Sequence, residues 1–206
     1  MKKLNIISVI KEGSLLGLKN AVSILGTLIL WILTCWIPYI NVGTTIALMS
    51  CPLELSKGRV ISPTFIFDKK YRNLMGNFFM LTGLKSLVLV PAYIFMIIPG
   101  IIIAISYSLG LLIMIDKNIN PTESLKLSND KTMGNKGNIF LINLIIGACF
   151  ALLSLIFRLI PIDIVATILI CLLTLVVAAI LLSTQAMIYK TLVLDRVQEM
   201  DNSIEI

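Results

Sequence analysis

The sequence predicts an all-α, polytopic membrane bundle of about six crossings. They are arranged as three parallel helical hairpins, each preceded by a cytoplasmic or interfacial amphipathic helix. Three observations carry that prediction. Hydrophobic residues make up 58% of the 206 and charged residues 14%, with a mean hydropathy of +0.99; soluble domains carry about 25% charged residues. The run from Ser86 to Ile115 holds 30 residues without a charge, with Pro99-Gly100 near its middle. Three Ile-Pro pairs, at Pro38, Pro99 and Pro161, fall 61 and 62 residues apart.

The uncharged run is too long for one crossing and too short for two, since a spanning helix needs roughly 20 apolar residues. Proline lacks a backbone donor and glycine tolerates positive φ, so Pro99-Gly100 is expected to end one helix and reverse the chain. Starting the first arm near Asn77 makes both arms long enough. Pro38 and Pro161 are expected to mark equivalent breaks. Asn20, Asn77 and Asn138 precede the three apolar runs at similar distances. Evenly spaced marks are the signature of an internal repeat, with boundaries 1–60, 61–119 and 120–195 and a short polar tail at 196–206.

Each repeat reads as three parts. The amphipathic segments are 4–19, 63–75 and 121–136. The outgoing spans are 21–38, 77–98 and 138–160, and the returns are 42–55, 101–116 and 162–189. The first return is short enough to be tilted or re-entrant. In 4–19, Ile6, Val9, Ile10, Gly13 and Leu16 form a stripe suited to the headgroup layer. The GxxxG string at Gly13–Gly17 lies outside a long apolar span and is given no weight. Ser62-Pro63 reads as a cap followed by proline at the first helical position. Asn120-Pro121 with Glu123 resembles a capping box. Lys11 and Glu12 break the N-terminal apolar run before it could serve as a signal-peptide core.

Charge sets the expected orientation. Fifteen of the 17 Lys and Arg residues fall in the amphipathic segments, their flanks or the tail, leaving Lys85 and Arg158. Membrane proteins keep basic residues in cytoplasmic loops, so both termini are expected on the cytoplasmic side. The net charge of +6 follows from this, and nucleic acid is not an expected partner.

Few residues offer chemistry. There is no histidine, so the commonest general base and zinc ligand are missing. Cys35, Cys51, Cys149 and Cys171 are scattered, without a CxxC pair, and read as free thiols. No phosphate loop, serine elbow or paired carboxylates appear. No catalytic, cofactor or metal residue is expected, and the chain reads as a non-enzyme. Lys85 is the one formal charge well inside a span. An ionisable group there costs at least ~2.5 kcal/mol and defaults to a functional role, unless its stem snorkels to the headgroups. Ser106, Tyr107, Ser108, Asn143 and Gln185 are the span residues that would join it around a polar cavity. Arg158 and Asp163 are expected to pair or to meet headgroups.

The stretch FMIIPGIIIAISYSLGLLIMIDKNINPTESLKLSNDKTMGNKGNIFLINLIIG resembles the bacterial integral-membrane family catalogued as domain of unknown function nine-seventy-five. The matching marks are Ile98–Ile101, Ser106–Ser108, Glu123-Ser124 with Ser128, and Met133-Gly134 with Lys136. Upstream, LSKG and FIFDKKYR fit the same pattern. The likeness covers roughly residues 43–155 and departs at Asn135, where the family tends to carry basic or histidine-rich residues. The membrane domain of some glycerophosphodiester phosphodiesterases is similar in style. The resemblance implies a multi-pass protein of the bacterial inner membrane and supplies no activity.

Two functional expectations follow from the residues. In the first, Lys69, Lys70, Arg72, Lys126, Lys131 and Lys136 engage anionic lipids or a membrane partner, each worth ~1 kcal/mol near an acidic leaflet. In the second, a small transporter or channel-like bundle has a polar cavity near Lys85. An immunity or stress-response membrane protein is a third. Oligomeric state is left open.

Overall fold

A computed structural model describes residues 3–59, 61–160 and 162–195. Helix covers 86% of them, with no strand among them. Pro161 and the 196–206 tail lie outside the described residues.

Helix α1 (Ile6–Lys19) starts at Asn5, whose side chain accepts from the Ile7 and Ser8 amides. It ends at Asn20, and α2 (Ala21–Thr34) leaves at 72° to it. A short turn leads to Pro38, which opens α3 (Pro38–Ser56) at its first position. That position needs no amide partner, so proline costs nothing there. Two polar bonds tie α2 to α3: Trp31 Nε1 donates to Thr45 Oγ1 at 2.9 Å, and the Thr34 and Thr44 hydroxyls lie 3.0 Å apart. Such bonds are a usual glue between helices in a membrane.

The segment expected at 63–75 as one amphipathic helix is two pieces. A 3₁₀ turn spans Pro63–Phe67, and α4 (Lys69–Asn73) follows, capped by Asp68. Helix α5 (Met75–Phe95) then rises to Met96, whose extended backbone (φ −156°, ψ 124°) makes the reversal. The turn therefore falls ahead of Pro99-Gly100, which lies in the first turns of α6 (Ile97–Ser106). There Gly100 admits the Tyr93 ring, which a Cβ would approach to 2.6 Å. The return expected as one helix over 101–116 is broken at 107–109 and resumes as α7 (Gly110–Lys117). Helix α8 (Pro121–Thr132) has Glu123 in its first turn, but Asn120 makes no side-chain cap bond. Helices α9 (Lys136–Arg158) and α10 (Asp163–Tyr189) form the last hairpin, and α10 runs on into a π-helical turn at Lys190–Leu194.

Four helical stretches are long and apolar enough to cross a membrane: Met75–Phe95, Ile97–Lys117, Lys136–Arg158 and Asp163–Leu194. The bent α1–α2 pair makes a fifth if it is one broken span. Helix α3 does not qualify, so the expected six crossings exceed the number these helices supply. The Ile97–Lys117 stretch is the central one, with 44% of its most apolar part buried against 11–17% for the others. Its Leu109 and Leu112 pack with Ile139, Ile142, Tyr189 and Leu192. The far ends of the α5–α6 and α9–α10 hairpins expose large apolar side chains such as Ile94, Phe95, Leu155 and Ile164.

Helix α1 does not use its stripe on lipid. Val9, Gly13 and Gly17 are buried, and the two glycines lie on α10. A Cβ on Gly13 would sit 2.8 Å from Thr184 Oγ1 and 2.9 Å from its Cα; one on Gly17 would sit 3.3 Å from the Ala179 carbonyl oxygen. The GxxxG string is thus a close-packing site, the usual purpose of small residues between membrane helices. Upstream, the Leu4 amide donates to Asn135 Oδ1 at 2.8 Å, and Asn138 Nδ2 donates to the Leu4 carbonyl at 2.9 Å.

Gly13→Val should force the helices apart and cost about 1–3 kcal/mol, the usual price of overpacking. Gly83→Ala, with nothing within 4 Å of the added atom, should change little. Thermal unfolding in detergent checks both; equal melting temperatures for the two variants would refute the close-packing role.

Candidate functional site

Four residues of α5, Phe78, Leu81, Thr82 and Lys85, recur at helical spacing and so share one face. They form one wall of a cavity of about 330 Å³. Met49 of α3, Leu111 and Leu112 of α7, and Leu182 and Gln185 of α10 complete it, together with Tyr107 and Ser108 at the break. The lining is mainly apolar with a few polar groups, the usual make-up of a small-molecule site.

The break makes the site. With no water in the bilayer core, backbone groups freed from a helix must find partners in the protein. Here the Tyr107 and Ser108 amides still reach the Ile103 and Ile105 carbonyls. The Leu109 amide instead donates to Ser128 Oγ at 3.2 Å, while that hydroxyl donates to the Ser106 carbonyl at 2.6 Å. Gln185 Nε2 donates to the Ser108 carbonyl at 3.1 Å. Ser128 is fully buried, and Gly110 lets α8 close in: a Cβ there would meet Leu125 Cδ2 at 2.9 Å.

Of the residues expected around a cavity, the structure brings together Lys85, Tyr107, Ser108 and Gln185. Ser106 is buried beside the break and contributes its carbonyl to Ser128 rather than a side chain to the lining. Asn143 lies elsewhere, in a groove of about 530 Å³ between α9 and α10. Lys85 is half-buried and has no hydrogen bond or ion pair among the described residues. Thr82 escaped the sequence reading, and Ser128 entered it only as a mark of the family resemblance. A signal for Ser128 exists: Ser124, Ser128 and Thr132 recur at four-residue spacing and are all buried, a polar stripe turned inward.

Below this cavity α3, α7 and α10 are latched. Asp116 at the end of α7 accepts from Lys57 Nζ, following α3, and from the Tyr189 hydroxyl of α10 at 2.6 Å. Beyond the latch opens a second cavity of about 580 Å³, where Lys57, Lys117 and Lys190 face Asp116 and Asp195. Among the described residues no three His, Cys, Asp or Glu side chains come together as a metal site.

The basic residues expected to meet lipid are largely occupied. Lys70 lies 3.5 Å from Glu54, which also holds Arg59 at 3.1 Å, and sits 4.7 Å over the Tyr71 ring. Burial alone would lower the Lys70 pKa, but Tyr71 and the carboxylates of Glu54 and Asp68 raise it above the ordinary lysine value. Arg72 packs its stem on Gly43 and donates to the Phe67 carbonyl. Lys136 donates to Asn129 Oδ1 at 2.9 Å, and Lys131 is half-buried and engaged. Lys69 and Lys126 are exposed. Arg158 and Asp163 form no ion pair with each other.

Ser128→Ala would strand the Leu109 amide and free one lone-pair partner of the Ser106 carbonyl, costing about 1–3 kcal/mol. Hydrogen exchange at the Leu109 amide should accelerate at least tenfold; unchanged protection would mean that Ser128 does not stabilise the break. Compared with known proteins, the chain matches no protein-family model, no curated protein and no solved structure, and its site is therefore read from its own geometry.

Proposed function

We propose that the chain is a non-enzymatic, multi-pass membrane protein of the transporter or channel kind, which admits a solute to the cavity at Lys85. One observation carries this reading: a lysine within a span lines a cavity and has no carboxylate partner among the described residues. An intramembrane charge is costly and marks a solute or ion path by default. The neighbouring break supports the same reading, because transporter sites are commonly built where a membrane helix is interrupted. The hairpins α2–α3, α5–α6 and α9–α10 would be three repeats of one orientation. The basic flanks would place both termini in the cytoplasm of a bacterial cell, with the protein in its inner membrane. The lipid-engaging reading has less support, since Lys70, Arg72, Lys131 and Lys136 spend their polar atoms inside the fold.

With Cys35, Cys51, Cys149 and Cys171 replaced by alanine, single cysteines can report on water. In proteoliposomes, Lys85→Cys should react with a charged, membrane-impermeant thiol reagent at least tenfold faster than Leu87→Cys on the exposed face of α5. Equal protection of both positions would overturn the proposal.

A further inference from the structure

We infer that the solute taken by this cavity is an apolar monocarboxylate, an acid with one carboxylate on a hydrocarbon or aromatic body; this rests on the reading of Lys85 as a solute site. The charge balance comes first. Lys85 is the sole ionisable group on the lining apart from the Tyr107 phenol. It begins ten residues into α5, about 15 Å along the axis at 1.5 Å per residue, near the middle of a hydrocarbon core roughly 30 Å thick. One ammonium at that depth balances one negative charge. A dianion would keep an unpaired charge away from water, which is strongly disfavoured.

The hydrogen-bonding groups point the same way. The Tyr107 hydroxyl has no partner among the described residues. Gln185 spends one Nε2 hydrogen on the Ser108 carbonyl and keeps the other. The Thr82 hydroxyl donates to the Phe78 and Phe79 carbonyls, and the Ser108 carbonyl is already taken. Lys85, Tyr107 and Gln185 thus keep unspent donors on lining residues, against the Gln185 amide oxygen as an unspent acceptor, and a carboxylate accepts without donating. Met49, Phe78, Leu81, Leu111, Leu112 and Leu182 supply the apolar remainder. They match a ligand with an apolar body and leave a sugar or amino acid with unpaired polar groups. At about 330 Å³ the cavity is at the small end of ligand sites, which suits a compact acid.

Phenylacetate, 2-phenylethanol and phenethylammonium share one body and differ in head group, so they separate charge from shape. Their binding to the full chain in nanodiscs can be followed by ligand-observed NMR. Phenylacetate should bind at least tenfold more tightly than the alcohol, and the ammonium should not compete. Lys85→Gln should abolish the preference for the acid over the alcohol. Tyr107→Phe should weaken the acid about tenfold, the scale of a hydrogen bond to a charged group. Equal binding of acid and alcohol, unchanged acid binding by Lys85→Gln, or no binding of phenylacetate would overturn the inference. Thiol labelling separates the two levels. A reactive Lys85→Cys together with no binding of phenylacetate by the chain that keeps Lys85 rejects the ligand class alone, whereas an unreactive Lys85→Cys rejects the solute site as well.

Discussion

The structure depends on a requirement of the bilayer: backbone amides and carbonyls there must be satisfied by protein. The central span is interrupted at residues 107–109, and side chains from two other helices repair the gap. Ser128 serves both sides of the break, taking the Leu109 amide and giving to the Ser106 carbonyl. Gln185 takes care of the Ser108 carbonyl. Much else is placed by this repair. Helix α8, polar in composition, is drawn against α6 and α7, and Gly110 provides the clearance. Helix α10 is held at the depth where Gln185 reaches the break. The void left between α5 and these elements is the cavity that holds Lys85.

Burial is concentrated at one end of the molecule. The layer containing Leu109, Leu112, Tyr189 and Leu192 is closed to solvent, and the Asp116 carboxylate joins three helices just beyond it. Toward the opposite end, α5–α6 and α9–α10 separate into prongs with apolar flanks. That polarity puts a rigid, hydrogen-bonded floor under the Lys85 cavity. Its upper walls are single helices with exposed apolar flanks.

The longest apolar runs announced their helices to within three residues. An uninterrupted stretch of Ile, Leu and Val has few alternatives in a membrane, so 138–160 became Lys136–Arg158 and 162–189 became Asp163–Tyr189. Turn position was less legible. A proline needs only an orphan amide, and the first turn of a helix has several; Pro99 therefore fits inside α6 as well as at a break, and the reversal moved to Met96. The azimuth of a residue within an apolar run is not written in local composition. Lys85, Tyr107 and Gln185 turned to one cavity, whereas Asn143, on an equally apolar helix, faced another groove. The glycines of α1 were misread for a related reason: their partner, α10, is about 170 residues away, and nothing near Gly13 points to it. The inward stripe of Ser124, Ser128 and Thr132 could have been read, because buried hydroxyls at one face of a polar helix imply something there to bond.

The attachment of α1 has a consequence for the order of assembly. Its contacts come from late in the chain: Asn135 and Asn138 at Leu4, and Ala179 to Thr184 at the two glycines. During synthesis α1 leaves the ribosome before the helix it packs on and lacks that site until α10 has been made. Until then its amphipathic stripe can be held by lipid at the membrane surface, and it docks once α10 is in place. Helix α1 thereby docks after segments that are made later than itself, and a chain halted before residue 179 would still have that helix undocked.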